Sequence, residues 1–372
     1  MIAPGEEVAV NLMWLRPGKV GGSESYIRRV LASLASNRPD IDLRLIGNPD
    51  SLGAVAPDGA QLVTPPITNQ SRAARVAAER MWLSKVMDLR ASILHHPGGT
   101  VPFVSETPTV MTIHDLQPLT NRANFSRTKR FYLDRAIPEA VQRADVIATP
   151  SDWVRNDVIE RLGVAPDRVV TVSAYAHPTD LSEPTYPSPQ LQKILDRGPT
   201  LVYPAMTLGH KNHKFLFDAF EAARMQDPTL QLVCTGVEGE DHDEIVAYAA
   251  AVSPAIYMLG YVSRRDLDAL FARAEMLVFP SLYEGFGLPI LEAQQAGLPV
   301  VATSCAAIPE VAGDGAVLLD PSDLDAWAGL MAARFSTNER AELVARGHAN
   351  AQRYSSQLTA LAQEGAYSLA RS

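Results

Sequence analysis

Two rhythms of apolar and polar positions alternate along this chain. A short apolar run, Val8 to Met13, is followed by a glycine-bearing loop, Gly18 to Gly22, and then by a stretch in which Tyr26, Ile27, Val30, Leu31 and Leu34 share one helical face. This predicts a strand, a loop and a helix. The order recurs, with strands expected at Leu43 to Ile46, Ser92 to His95, Thr109 to Ile113 and Val146 to Thr149, and amphipathic helices at Arg72 to Arg90 and Lys129 to Arg143. Such alternation calls for a parallel sheet covered by helices on both faces.

Between Ala176 and Pro199 the pattern breaks, with Pro178, Pro184, Pro187 and Pro189 in a stretch unsuited to a continuous ladder or a long helix. A linker is expected over 177–199. The alternation then restarts with strands at Thr200 to Pro204, Gln231 to Thr235, Ile256 to Leu259, Met276 to Phe279 and Val300 to Ala302. Helices are expected between them at His213 to Met225, Asp243 to Ala251, Arg264 to Ala272 and Pro289 to Ala296. The predicted fold class is therefore α/β, with two Rossmann-like doubly wound domains, 1–176 and 200–352, facing a central cleft. Ligands of open parallel sheets bind beyond the carboxyl ends of the strands, so the residues just after strands are the candidates for chemistry.

A length of 372 residues agrees with two cores rather than one. The net charge of −9 argues against nonspecific nucleic-acid binding, which needs a surplus of Lys and Arg. An anionic substrate must be met by local groups. Cys234 and Cys305 form neither a disulfide framework nor a metal motif, and no cluster of Asp, Glu or His has metal-ligand spacing, so no metal is expected. No apolar run reaches the roughly 18 residues of a membrane span, and Glu6 and Glu7 precede the first apolar strand. A cytoplasmic protein without a signal peptide is expected.

The strongest local signal is Glu284-Gly285-Phe286-Gly287-Leu288-Pro289-Ile290-Leu291-Glu292, a glycine loop between a strand and a helix, bracketed by two carboxylates. Gly285 and Gly287 allow close backbone approach, and the free N–H groups of the new helix suit a diphosphate. Glu284 is then expected at sugar distance, with Glu292 reaching outward to a ribose diol. A strand-loop-helix turn with an exposed Glu292 is the plain alternative. His114 and Asp115 end an apolar strand of the first half, Gly21-Gly22 joins the first strand to its helix, and Gly209-His210-Lys211-Asn212-His213 opens a helix of the second half. Lys211 offers a point charge there. Taken singly, the histidine has a structural reading, the glycine pair that of a tight turn and the lysine that of a solvated cation.

The two-glutamate spacing resembles the signature of the family 4 retaining glycosyltransferases, which have the GT-B fold, and the order Gly22, His114, Lys211, Glu284, Glu292 agrees with that family over most of the chain. The resemblance implies transfer of a hexose from a nucleotide-diphosphate sugar to a glycan or glycolipid hydroxyl. His114, Lys211 and Glu284 would be the catalytic residues. Gly22, Asp115, His210, Gly285, Phe286, Gly287, Leu288 and Glu292 would bind the donor, with Asp115 orienting the sugar or fixing its loop. No cofactor is implied. A subgroup resemblance in Tyr203-Pro204-Ala205 and His210-Lys211-Asn212-His213 favours GDP-mannose, with UDP-glucose and dTDP-rhamnose as alternatives. The base is expected near the loop after Gln231 to Thr235 and near Gly260-Tyr261-Val262-Ser263.

The sequence departs from the family at Ala205-Met206-Thr207-Leu208, where the usual arginine before the lysine is missing; His210 or backbone N–H groups are expected to replace it. Ser151 resembles half of a family Ser-Glu pair but suits a helix cap equally well, and is left outside the catalytic set. The cations Arg72, Arg75, Arg80, Lys85 and Arg90 suggest a solvated or acceptor-binding face before an anionic membrane surface. Loop 121–127 is expected to shape acceptor choice. The family's last helix returns to the first domain, which implies the same for 353–372. A nucleotide-sugar 2-epimerase and a noncatalytic nucleotide-sugar sensor are the rival readings.

Overall fold

The computed structural model describes residues 2–65, 75, 78–87, 91–120, 127–176 and 186–372. The chain forms two compact units, Met1–Tyr175 with Tyr354–Ser372, and Ala176–Arg353. The first contains strands β1 (Glu7–Asn11), β2 (Asp42–Ile46), β3 (Gln61–Val63), β4 (Ile93–His96), β5 (Thr109–Thr112), β6 (Val146–Thr149) and β7 (Val169–Thr171). The second contains β8 (Thr200–Pro204), β9 (Gln231–Thr235), β10 (Ile256–Met258), β11 (Met276–Phe279), β12 (Val300–Thr303) and β13 (Val317–Leu319).

Every strand pairing is parallel. The first sheet runs β3-β2-β1-β4-β5-β6-β7 and the second β10-β9-β8-β11-β12-β13. Each is therefore a doubly wound α/β sheet whose winding reverses once, between β1 and β4 in the first and between β8 and β11 in the second. Strands β4, β5, β6, β9, β11 and β12 are buried throughout, as a sheet covered on both faces requires. The core of the second unit joins Leu201, Val202, Phe217, Phe220, Phe271, Val278 and Trp327.

The short strands β3, β7 and β13 and the helices Pro49–Val55, Leu324–Ala333 and Thr337–Ala351 add to the predicted elements. The segment read as linker holds the helix Pro189–Leu195, in which Pro189 occupies the first turn where its missing N–H costs nothing. Residues 177–185 and 121–126, expected to be linker and acceptor loop, lie outside the described residues. So do Arg72, Arg90 and the side chain of Arg80; of that predicted helix, Glu79–Leu83 is a π-helical turn leading into Ser84–Met87. Arg75 lies 4.0 Å from Glu79.

The last helix, Ser356–Ala370, packs within the first unit against the helix Gly22–Asn37. Its Tyr367 hydroxyl meets His95 Nδ1 at 2.9 Å, Thr359 Oγ1 donates to the Ser173 carbonyl at 2.7 Å, and Glu364 pairs with Arg38. Among the described residues no helix is long and apolar enough to cross a membrane, and no group of three His, Cys, Asp or Glu could hold a metal ion.

Candidate active site

In the second unit the loops after β8 and β11 flank the point where the winding reverses, and they carry Lys211 and Glu284, two of the three residues expected to be catalytic. After β8 the chain makes a tight turn, Gly209–Lys211, closed by Asn212 in the left-handed region at φ 59°, ψ 35°, which asparagine tolerates better than most residues. Several bonds hold the turn: among them, Tyr203 donates its hydroxyl hydrogen to the Lys211 carbonyl at 2.7 Å, the Leu282 amide donates to the His210 carbonyl at 2.8 Å, and the Lys211 amide donates to the Leu208 carbonyl at 2.9 Å. The Leu282 bond joins the two strand-end loops, so that Lys211 Nζ reaches Glu284 Oε1 at 2.5 Å. Both side chains are mostly withdrawn from solvent, which strengthens their attraction over that of a surface pair. One of three ammonium hydrogens is used in this pair.

Beyond Glu284, Gly287 adopts φ 104° and begins the helix Leu288–Gln295, with Pro289 in its first turn. Gly285 lies in the loop between, and Phe286 and Leu288 are buried. Glu292, expected to reach outward, is instead buried, and its Oε1 accepts from Arg264 Nη1 at 3.0 Å. A buried carboxylate requires such a donor.

The segment lacking the family arginine is clamped by the loop after β9. Gly239 donates its amide hydrogen to Thr207 Oγ1 at 2.8 Å, Asp241 donates to the Thr207 carbonyl at 3.2 Å, and Thr207 Oγ1 meets His242 Nδ1 at 3.2 Å. His210 is held mainly neutral by burial, with Lys211 adding to the effect, and its pKa falls to about 4. Donation by its single N–H, rather than by charge, is what His210 can offer.

In the first unit, His114 follows β5. Its Nε2 pairs with the Pro97 carbonyl at 2.8 Å, which assigns the hydrogen to Nε2 and leaves Nδ1 as an acceptor for a hydroxyl. Burial holds the ring neutral, with a pKa lowered to about 4. Tyr26 meets His114 edge-on at 5.1 Å between ring centres, and Trp14 lies at 5.9 Å. These two aromatic neighbours carried no signal in the sequence beyond their place after β1 and on its helix. Trp14 also explains Gly98, where a Cβ would stand 2.5 Å from the indole ring. Asp115 Oδ1 accepts from the Gln117 amide at 2.9 Å and thus fixes its own loop. Gly22 opens the helix Gly22–Asn37, with nothing within 4 Å of where a Cβ would lie. Ser151 caps the helix Asp152–Leu162 through a bond from the Val154 amide at 3.2 Å.

The pattern of glycosyl transferases group 1 matches residues 198–335, and that of Glycosyltransferase Family 4 matches residues 20–174. The O-antigen chain mannosyltransferase B of Escherichia coli is 31% identical over 278 residues, covering 72% of each chain. The chain belongs to glycosyltransferase family 4. A serotype-specific mannosyltransferase, WbdA, from Escherichia coli is 30% identical over 241 residues, which cover 61% of this family 4 chain and 29% of that longer protein. Among solved structures, the sucrose-phosphate synthase of Thermosynechococcus elongatus superposes with a TM-score of 0.75 at 17% identity, covering 98% of each chain. The Anabaena protein HepE in complex with UDP and glucose superposes at 0.74 and 18% identity, covering 99% of this chain and 100% of that one. The architecture is that of GT-B glycosyltransferases.

The neutral histidines give the fold a pH dependence of known sign. His95, His96 and His213 are buried and their pKa values fall from 6.5 to about 3, so the unfolded chain takes up protons near pH 6.5 while the folded chain does not until far lower. Their stabilising effect is complete above pH 6.5 and is lost as pH falls toward 3. Among the described residues neither ring nitrogen of His213 has a hydrogen-bond partner, and the ring contacts Tyr203 and Phe217. His213→Leu is expected to leave stability at pH 7.5 unchanged or raised, and to shrink the drop in urea midpoint between pH 7.5 and 5. An unaltered drop would show that His213 titrates normally in the fold.

Proposed function

We propose that this chain transfers mannose from GDP-mannose to a glycan hydroxyl, with retention of anomeric configuration, in the assembly of a polysaccharide or glycoconjugate. The Lys211–Glu284 pair at the reversal point of the second sheet carries the reading, because nucleotide ligands of doubly wound sheets bind at such points. The mannosyl preference is supported by the mannosyltransferases among its relatives.

In this reading Lys211 turns its remaining ammonium hydrogens to the diphosphate, while the amides opening the helix Leu288–Gln295 face the same charge. Glu284 holds hydroxyls of the sugar and, anchored by Lys211, steadies positive charge developing at the anomeric carbon. The acceptor hydroxyl attacks from the face on which the diphosphate leaves. The new carbon–oxygen bond forms as the old one breaks, its electron pair stays on the phosphate oxygen, and that oxygen takes the acceptor's proton. His114 Nδ1 accepts a hydrogen bond from a sugar hydroxyl. Lysine and helix dipole supply the charge compensation, so turnover is expected to survive chelation of divalent metals.

Calorimetric titration with GDP-mannose, UDP-glucose and dTDP-rhamnose tests the donor. Preferential binding of GDP-mannose, abolished in Lys211→Ala, is expected. A preference for either other donor would overturn the mannosyl assignment, and absence of binding to all three would overturn the transferase reading.

A further inference from the structure

The cation on Glu292 was not singled out by any motif, and its setting is unusually constrained. Arg264 opens the helix Arg264–Arg273, directly after the loop Gly260-Tyr261-Val262-Ser263, with Ser263 as the cap. Asp268, one turn on, accepts from the guanidinium Nε through Oδ2 at 3.2 Å, and its Oδ1 lies 2.7 Å from Nη2 as an ion-pair contact. The hydrogen bond and the ion-pair contact together restrain the guanidinium against the helix. The remaining amino group, Nη1, is thereby aimed at Glu292 Oε1 at 3.0 Å. Asp268 and Glu292 are largely buried, whereas Arg264 is 41% exposed.

Electrostatics give the arrangement a purpose. Two glutamates on one loop-helix segment would repel an incoming diphosphate, in a chain whose net charge is already −9. Each instead carries its own cation, Lys211 on Glu284 and Arg264 on Glu292. The two cations differ in form. Lys211 is a rotatable point charge, while Arg264 is a planar group restrained by Asp268 on one side and bonded to Glu292 on the other.

We propose that Arg264, locked by Asp268, is a positioning residue that orients the Glu292 carboxylate toward the ribose diol of the donor nucleotide. This rests on the donor reading above together with the ribose contact expected of Glu292 from the sequence. Because Arg264 acts through Glu292, its loss weakens recognition of the ribose hydroxyls specifically, over and above any uniform loss of affinity.

Binding of GDP and 2′-deoxy-GDP, with UDP and 2′-deoxy-UDP in parallel, is measured by calorimetry on the full chain and on Arg264→Gln and Asp268→Asn. The second variant loosens the clamp without leaving Glu292 short of its cation. The unaltered protein is expected to prefer the ribonucleotide about tenfold, the value of one hydrogen bond to a charged group. Either variant is expected to reduce that preference to about twofold or less, and in Glu292→Gln the further change Arg264→Gln is expected to alter it no more. If both nucleotide forms lose affinity equally and the preference persists, Arg264 has only a structural or charge-balancing part and the inference falls. If the unaltered protein binds ribo and deoxy forms alike, Glu292 does not meet the ribose and the inference falls while the donor reading stands. If no nucleotide binds at all, the donor reading fails first.

Discussion

Lys211→Ala is expected to lower turnover with any nucleotide-sugar donor by at least about a hundredfold, the scale of losing one group that meets charge developing in a transition state. The same change removes the partner of Glu284, whose carboxylate is 13% exposed, and should cost about 1–3 kcal/mol of stability through the stranded charge. The two losses can be separated. Adding Glu284→Gln removes the stranded charge, so the double variant should regain stability without regaining activity. Lys211→Arg should recover little turnover, because a planar guanidinium cannot divide its hydrogens between Glu284 and a diphosphate as a rotatable ammonium does. Urea unfolding and donor turnover on the four proteins make the measurement. Retention of turnover in Lys211→Ala would remove the lysine from the chemistry.

A second large effect is expected at a glycine, which carries no charge of its own. Gly236, just after β9, has φ +136°, and a Cβ there would stand 2.4 Å from the Ala205 carbonyl oxygen and 2.6 Å from its carbon. Both are backbone atoms, so neither can swing aside. Gly236→Ala is expected to cost about 3 kcal/mol or more in urea unfolding, from backbone strain together with overpacking. Because Ala205 leads into the Gly209–Lys211 turn, donor affinity should fall as well. Gly163→Ala is the comparison. It shares a positive φ, +64°, but has nothing within 4 Å, and should cost only about 1 kcal/mol. Equal effects at the two sites would mean that the loop after β8 yields to its neighbour.

The interior strands were legible in the sequence for a physical reason. β4, β5, β6, β11 and β12 are buried throughout, so β11 reads as a continuous apolar run and the others as apolar runs interrupted only by threonine or histidine at their ends. The strands β3, β7 and β13 were not read. Each has only three residues at a sheet edge; β3 exposes Gln61 and Leu62, and β7 and β13 are partly exposed along most of their length, so none shows the buried run of an interior strand. The same distinction holds for the site. Glycines, a lysine and two glutamates in loops after strands announce themselves through position and type, and Lys211 and Glu284 do meet. Arg264 lies 28 residues from Glu292 and reaches it only by tertiary folding, while its grip by Asp268 looks in the sequence like any charged pair on a helix. The burial of Glu292 was equally hidden, because an amphipathic pattern cannot tell a carboxylate that faces solvent from one that has found its own cation.

The anomeric configuration of the product tests the central claim most directly. GDP-mannose and a mannose-terminated oligosaccharide are incubated with the purified chain, and the new glycosidic bond is read by proton and carbon NMR from the one-bond coupling at the anomeric carbon. The donor sugar is α-linked, so the account predicts an α-mannoside. A β-mannoside would contradict it, since inversion requires attack from the face opposite the departing diphosphate.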